Sequence, residues 1–219
     1  MALQPRKPPE VDSSWMETYG DMVTLLLCFF VLLASISKID ANLYEKVQSG
    51  IAQEIGKQKV QRPIEDMKKE LTEVVSAMSG GDSMADVATD DRGVVLNLDS
   101  GAMFKQGSAE VRPEAMPLLK EMAVTLTHKR FETYILEIQG HTDDTPVASP
   151  QYPTNFDLAA ARALATLRAM KALGVSEDRM VIASYGQYKP RVPNRTPEGN
   201  PLPVNQSLNR RVSIHVVPH

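Results

Sequence analysis

The sharpest feature of the hydrophobic pattern is an unbroken apolar run near the amino end. Residues 15–37, WMETYGDMVTLLLCFFVLLASIS, are almost entirely apolar from Met22 to Ile36, with a single carboxylate, Asp21, just inside the start. A helix drawn back to Met16 is about 31 Å long at about 1.5 Å per residue, enough to cross a hydrocarbon core of about 30 Å. Trp15 and Tyr19 fall where interfacial aromatics are expected. Residues three and four apart share a helix face, so Asp21, Thr24, Leu25, Cys28, Leu32 and Ser35 form one stripe opposite Met22, Phe29, Phe30 and Leu33. An acid at membrane depth costs roughly 2.5–3.5 kcal/mol and usually faces a partner or an ion path. The plainer reading is an acid at the helix edge reaching the interface.

Beyond the span the period changes. Ile39, Leu43, Val47, Ile51 and Ile55 recur every four residues, the spacing of one helical face. Gly50 and Gly56 weaken that helix as a permanent rod. Pro63 interrupts the pattern, and residues 64–78 predict a charged helix with Ile64, Met67, Leu71, Val74, Val75 and Met78 on one face. The SGGDS run at 79–83 ends it. From here strands and helices alternate: a strand at 93–98, a loop holding Phe104, a helix from Pro113 to about His128, and a strand at 133–140. A loop at 141–156 with three prolines follows, then a helix from Phe156 or Asp157 to Leu173 closed by Gly174, and a strand at 180–185. A loop at 186–209 holds five prolines and four asparagines, and a last strand runs over 211–217. This order predicts a single membrane helix followed by an α/β sandwich, a mixed sheet with helices on one face. The expected divisions are a tail at 1–14, the span at 15–37, a linking segment at 38–88 and a folded domain at 89–219.

Composition narrows the function. The chain has 219 residues and a net charge of −3, with no sustained basic run and few aromatic residues, which argues against nucleic acid. The one cysteine, Cys28, lies in the apolar run, so no intrachain disulfide is expected. The four histidines are scattered and no zinc spacing occurs, so no metal site or cofactor is expected. No G-x-S-x-G is present, and His141 beside Asp143 and Asp144 has no nucleophile at motif spacing, so no enzyme is expected. A cleaved signal peptide is the alternative for residues 1–37, with Arg6 and Lys7 as its basic flank. Glu10, Asp12, Glu17 and Asp21 ahead of the run oppose it. Arg6 and Lys7 favour a cytoplasmic amino end.

Two blocks resemble known families. The pieces F-x-x-G-S-A-E-V (104–111), I-x-G-H-T-D (138–143), N-x-x-L-A-x-A-R-A (155–163), G-V-x-x-x-R-M (174–180), Y-G-x-x-x-P (185–190) and N-R-R-V-x-I (209–214) resemble the OmpA-like peptidoglycan-binding domain. The segment Y-G-D-M-V-T-L-L-L-C-F-F-V-L-L resembles the membrane helix of the MotB/PomB family of flagellar stator B subunits. The resemblance implies that Asp21 carries Na+ or H+, with Thr24 as a possible helper. It also implies that Ile39, Leu43, Val47, Ile51 and Ile55 belong to a plug, and that two copies sit inside a ring of a multi-span MotA/PomA-type subunit. The setting would be a bacterial inner membrane with the carboxy-terminal domain in the periplasm. In the wall-binding domain, Asp143 and Arg162 match the pair gripping the zwitterionic end of a stem peptide's diamino acid, a carboxylate for the ammonium and a guanidinium for the carboxylate. Thr142, Asn155 and Leu158 line the same motif, and Arg210 matches a last-strand arginine. The L-L-L-C-F-F-V-L-L run resembles the sodium-type branch, though a carboxylate serves either ion. Two rivals stand beside this reading: a passive tether from inner membrane to wall, and an ion-driven unit powering a machine other than a flagellum.

Overall fold

The computed structural model describes residues 14–36, 63–78, 84–147 and 149–218. The expected plug positions, Ile39 to Ile55, lie outside the described residues, as does the tail ahead of Ser14. Two units are distinct, one ending at Ile39 and one beginning at Asp40.

The first unit contains helix α1, Ser14–Ile36. Its apolar stretch Trp15–Ser35 covers 21 residues, long enough to cross a membrane. Among the described residues, every side chain from Trp15 to Ser35 is exposed, as expected for a helix whose surroundings are lipid or another subunit. Near its start the rings of Trp15 and Tyr19 lie 6.4 Å apart. Thr24 Oγ1 donates to the backbone carbonyl of Asp21 at 2.8 Å. The hydroxyl proton is thus committed to the backbone, and only the oxygen's lone pairs remain available to a cation beside Asp21.

The second unit is built on a five-stranded sheet of order β1-β2-β5-β3-β4, with β1 Ala85–Thr89, β2 Val94–Asp99, β3 Tyr134–His141, β4 Met180–Gly186 and β5 Arg211–Pro218. Among the described strands only β3 and β4 pair in parallel. The helices are α2 (Pro63–Met78), α3 (Ser100–Met103), α4 (Met116–Leu126, led by a 3₁₀ turn at Pro113–Ala115), α5 (Asn155–Ala172) and α6 (Pro203–Asn209). Strand alternation sends Val94, Leu96 and Leu98, Leu136 and Ile138, and Val212, Ile214 and Val216 to one face, where helical side chains complete the core. The opposite face is a polar ladder: Ser213 bonds Asn97 at 2.8 Å, and Glu137 pairs with Arg92 at 3.0 Å. The α/β sandwich with helices on one face therefore stands as expected.

Three elements differ from expectation, each for a physical reason. Strand β1 falls almost wholly in the stretch taken as linker, ending one residue beyond it; it is a five-residue edge strand with only Ala85 buried, too short to show a period. Helices α3 and α6 fall in expected loops, and α6 is a short helix opened by Pro203. Helix α2 has the predicted apolar face, but that face is core: Met67 and Leu71 are 0% exposed, and Ile64 and Val75 are buried beside them. The folded domain thus begins by Pro63 rather than near residue 89. A tether confined to residues 37–62 reaches at most roughly 85 Å when fully extended, against about 150 Å for the longer segment. Leu71→Ala is accordingly expected to cost about 2–5 kcal/mol, read as a lower unfolding midpoint of the second unit in denaturant. An unchanged midpoint would return α2 to the linker.

Arg179, the arginine of the G-V-x-x-x-R-M piece, closes the end of the domain where β3 and β4 begin. It donates to the carbonyls of Tyr134, Leu126 and Phe131 at 2.9, 3.2 and 2.6 Å. Its role is to satisfy chain ends that the helices and strands leave open.

Candidate ligand-binding cavity

Strand β3 ends by approaching helix α5 more closely than any side chain permits. A Cβ on Gly140 would stand 2.0 Å from the backbone oxygen of Ala159. This contact sets the first turns of α5 against the residues that follow β3. Thr154 opens α5 with a reciprocal capping box, its hydroxyl accepting from the Asp157 amide while the Asp157 carboxylate accepts from the Thr154 amide. Asn155, Leu158 and Arg162, at steps of three and four, then share the face turned to the β3 end.

Asn155 is the staple of the loop after β3. Its Nδ2 donates to the carbonyls of Thr145 (2.9 Å) and Asp143 (3.3 Å) and to Gln187 Oε1 (3.0 Å), and its Oδ1 accepts from the Val147 amide at 3.2 Å. Thr142 is likewise spent on the backbone: its amide donates to the Gly186 carbonyl at 2.9 Å and its hydroxyl to the Asp143 carbonyl at 2.9 Å. These bonds hold the Asp143 carboxylate, whose Oδ1 accepts from the Thr145 amide at 3.0 Å.

Sheet register brings the next partner. His141 pairs across the ladder with Arg211, so Arg210 arrives beside the residue that follows Thr142. Arg210 Nη1 donates to Asp143 Oδ2 at 2.6 Å, with Asp143 buried and Arg210 partly in solvent. Fully buried Asn209 anchors the long loop behind it: Oδ1 accepts from the amides of Arg191 (2.7 Å) and Val192 (3.1 Å), and Nδ2 donates to Val192 O (2.7 Å) and Asn194 Oδ1 (2.8 Å). Asp144 ties the same loops together through Gln206 at 2.8 Å and Arg195. The Gln206 bond, with help from Arg195, holds its carboxyl below the usual carboxylate range.

All six positions expected to bind the wall, Thr142, Asp143, Asn155, Leu158, Arg162 and Arg210, line one cavity of about 600 Å³. The arrangement refines the expected pairing. Asp143 and Arg162 share the cavity, but the ion pair of Asp143 is with Arg210. Arg162, 5% exposed, donates its Nε to the Ser108 carbonyl at 3.0 Å and lies over the Phe104 ring at 5.4 Å. Burial, and then the nearby Arg210 charge, lower its pKa; an arginine nonetheless stays cationic at physiological pH. Sequence reasoning missed Ser100 and Arg112, which also line the cavity. Arg112 follows directly on the F-x-x-G-S-A-E-V piece, which was its only local signal.

His141 takes no part in the cavity. It is buried, stacked on Tyr185 at 5.3 Å, and neither ring nitrogen has a hydrogen-bond partner. Burial, reinforced by the Arg211 charge, lowers its pKa to about 3, so it is neutral at physiological pH. A carboxylate next to a guanidinium, with further guanidinium groups facing the same space, suits binding of a ligand with both an ammonium and carboxylates.

Comparison with known proteins agrees with this geometry. The OmpA family model matches residues 103–202, and the model described as membrane MotB of the proton-channel complex MotA/MotB matches residues 3–55. The YtxE protein of Bacillus subtilis is 32% identical over 95% of this chain and 90% of its own length. Motility protein B of the same organism is 25% identical over 100% of this chain and 97% of its own. Among solved structures, the periplasmic domain of Helicobacter pylori MotB covers 61% of this chain and 82% of its own at 26% identity and a TM-score of 0.54. The cell wall anchor of the T6SS from Pseudomonas aeruginosa covers 70% and 97% at 25% identity and a TM-score of 0.57.

Proposed function

Since the chain belongs to the MotB family and carries an OmpA-like domain, we propose that it is the ion-conducting and wall-anchoring subunit of a flagellar motor stator. Members of this family are anchors and stator parts rather than enzymes. In this reading α1 is a single span of a bacterial inner membrane, with the amino end cytoplasmic and the folded domain periplasmic. Two copies stand within a ring of a multi-span MotA/PomA-type subunit. Asp21 binds and releases Na+ or H+ as the ion crosses, residues 39–59 act as the plug, and peptidoglycan held in the cavity keeps the subunit still while the ring steps. The observation that carries the anchoring half is the convergence of Asp143, Arg162 and Arg210 on one cavity.

The likeness to a T6SS cell wall anchor favours a second reading, a tether for another machine or a passive tether, in which the wall-binding half is the same and the ion path is absent or drives something else. Both halves are testable in cells that rely on this subunit alone. Swimming speed that saturates with sodium at fixed pH identifies a sodium stator; speed independent of sodium identifies a proton stator. Cells that stay non-motile while the protein remains on the wall, with no multi-span partner co-purifying, identify a tether. For the anchoring half, Asp143→Ala removes the charge that faces the ligand's ammonium. It also leaves Arg210 without its counter-ion. A loss of this kind costs about 2–5 kcal/mol, so co-sedimentation of the detergent-solubilised chain with purified sacculi is expected to weaken more than tenfold. Undiminished sedimentation would refute the assignment.

A further inference from the structure

The cavity holds more positive charge than a zwitterion needs. Its lining carries three guanidinium groups, Arg112, Arg162 and Arg210, and one carboxylate, Asp143. Asp99 is close enough to Arg162 to be felt, yet its Oδ1 is engaged by the Ala102 amide at 2.8 Å. Counting Asp99 as well, one positive charge is left over.

Arg112 and Arg162 are held in the same manner. Residues 104–111 form a tight hairpin in which Phe104 pairs with Val111 and Gly107 takes a φ of 65°. Arg112 donates its Nε to the Phe104 carbonyl and Arg162 its Nε to the Ser108 carbonyl, both at 3.0 Å. Fixing each guanidinium by Nε leaves the Nη1/Nη2 edge, the edge that receives a carboxylate with two parallel hydrogen bonds. Neither arginine has an ion pair among the described residues. Beside them Ser100, 2% exposed, lines the same cavity; its buried hydroxyl has no hydrogen-bond partner, while its amide is fixed on the Arg210 carbonyl at 2.9 Å. Buried hydroxyl groups are ordinarily paired, so a small shift of this wall on ligand binding would give the hydroxyl a ligand oxygen to bond.

We propose that Arg112 and Ser100 form a second carboxylate subsite, next to the Asp143 and Arg162 subsite for the zwitterionic end. The ligand is then a net-anionic peptide with one ammonium and at least two carboxylates, and conversion of the second carboxylate to a carboxamide weakens it. This inference rests on the reading of the cavity as the wall-peptide site. Arg112 is a specificity residue in this scheme: a neutral carboxamide offers one acceptor and brings its own N–H donors toward a guanidinium that has none to accept them.

The test uses the full chain in detergent and two forms of a diaminopimelate-containing stem tripeptide. One has every carboxylate free; in the other, each carboxylate beyond the zwitterionic end is a carboxamide. Wild type is expected to bind the free form roughly tenfold or more tightly than the amidated form. Arg112→Gln is expected to remove that difference, and Ser100→Ala, which leaves the Arg112 to Phe104 bond intact, to reduce it partly. Equal affinity of wild type for both peptides overturns the second subsite and leaves wall binding standing. Discrimination that survives in Arg112→Gln overturns its assignment to Arg112. Binding of neither peptide overturns the wall-binding reading together with the subsite.

Discussion

Asp21→Asn is expected to stop rotation completely while leaving membrane insertion, abundance and sedimentation with the wall at wild-type levels. The substitution keeps shape and hydrogen-bonding capacity but removes the charge. An acid at membrane depth costs roughly 2.5–3.5 kcal/mol by insertion scales, so its loss gives no reason for poorer insertion of α1. An amide cannot exchange a proton near neutral pH and offers a cation only a dipole. A transported ion brings about 2.3 kcal/mol per elementary charge per 100 mV, and without a site that alternately holds and releases it this energy has no route into the motor. In the proposed stator, the Thr24 hydroxyl, its proton given to the Asp21 carbonyl, offers a cation beside Asp21 its oxygen lone pairs, and the other ligands are expected from the partner subunits. Tethered-cell rotation with this subunit as sole stator, paired with immunoblots of membrane and sacculus fractions, decides the matter. Rotation of the mutant at any measurable fraction of wild-type speed makes Asp21 an interfacial residue, and absence of rotation in the wild type as well returns the chain to a wall tether.

What could be read from the chain, and what could not, divides along the range of the interactions involved. The α/β order followed from local periods: Thr133 to Gly140 and Arg211 to Val217 alternate, and α5 carries its own cap at Thr154. The cavity residues were legible because their motif pieces are contiguous, even though the pieces lie far apart in sequence. The apolar face of α2 was also legible, but a helical stripe does not say what covers it; only the packed core shows Met67 and Leu71 among the residues of the sheet and α4. The Asp143–Arg210 bond depends on the pairing of His141 with Arg211 across two strands, a register that no local pattern encodes. Arg112 was passed over for a related reason. Nothing in its neighbourhood distinguishes a guanidinium tethered by Nε to Phe104 and turned into a cavity from one turned to solvent. Asn209, read only as part of a motif, proves to be a staple whose four bonds reach residues 191–194.

Gly140 carries the largest expected effect within the folded domain. Gly140→Ala adds one methyl group, yet its Cβ would sit 2.0 Å from the Ala159 carbonyl oxygen and 2.6 Å from the carbonyl carbon. Both atoms are backbone, so no side-chain rotation relieves the clash; β3 and α5 must separate by about 1 Å or more to restore contact distances near 3.5 Å. Overpacking in a well-filled interior commonly costs about 1–3 kcal/mol, and a clash against rigid backbone belongs at or beyond the top of that range. The displacement falls on the contact that aligns Thr142 and Asp143 with Asn155 and Arg162. Wall binding is therefore expected to suffer more than stability alone explains, because hydrogen bonds of about 3 Å from Asn155 to the Asp143 loop do not survive a 1 Å shift. The expected result is a sharply lowered unfolding midpoint and no sedimentation with sacculi, even at a temperature where the variant remains folded. By contrast Gly174→Ala places its Cβ in open space and strains only a residue at φ 101°. It is expected to lower stability while sparing wall binding in the folded fraction. Equal losses of binding in the two variants would mean that stability, not the β3–α5 contact, governs the cavity.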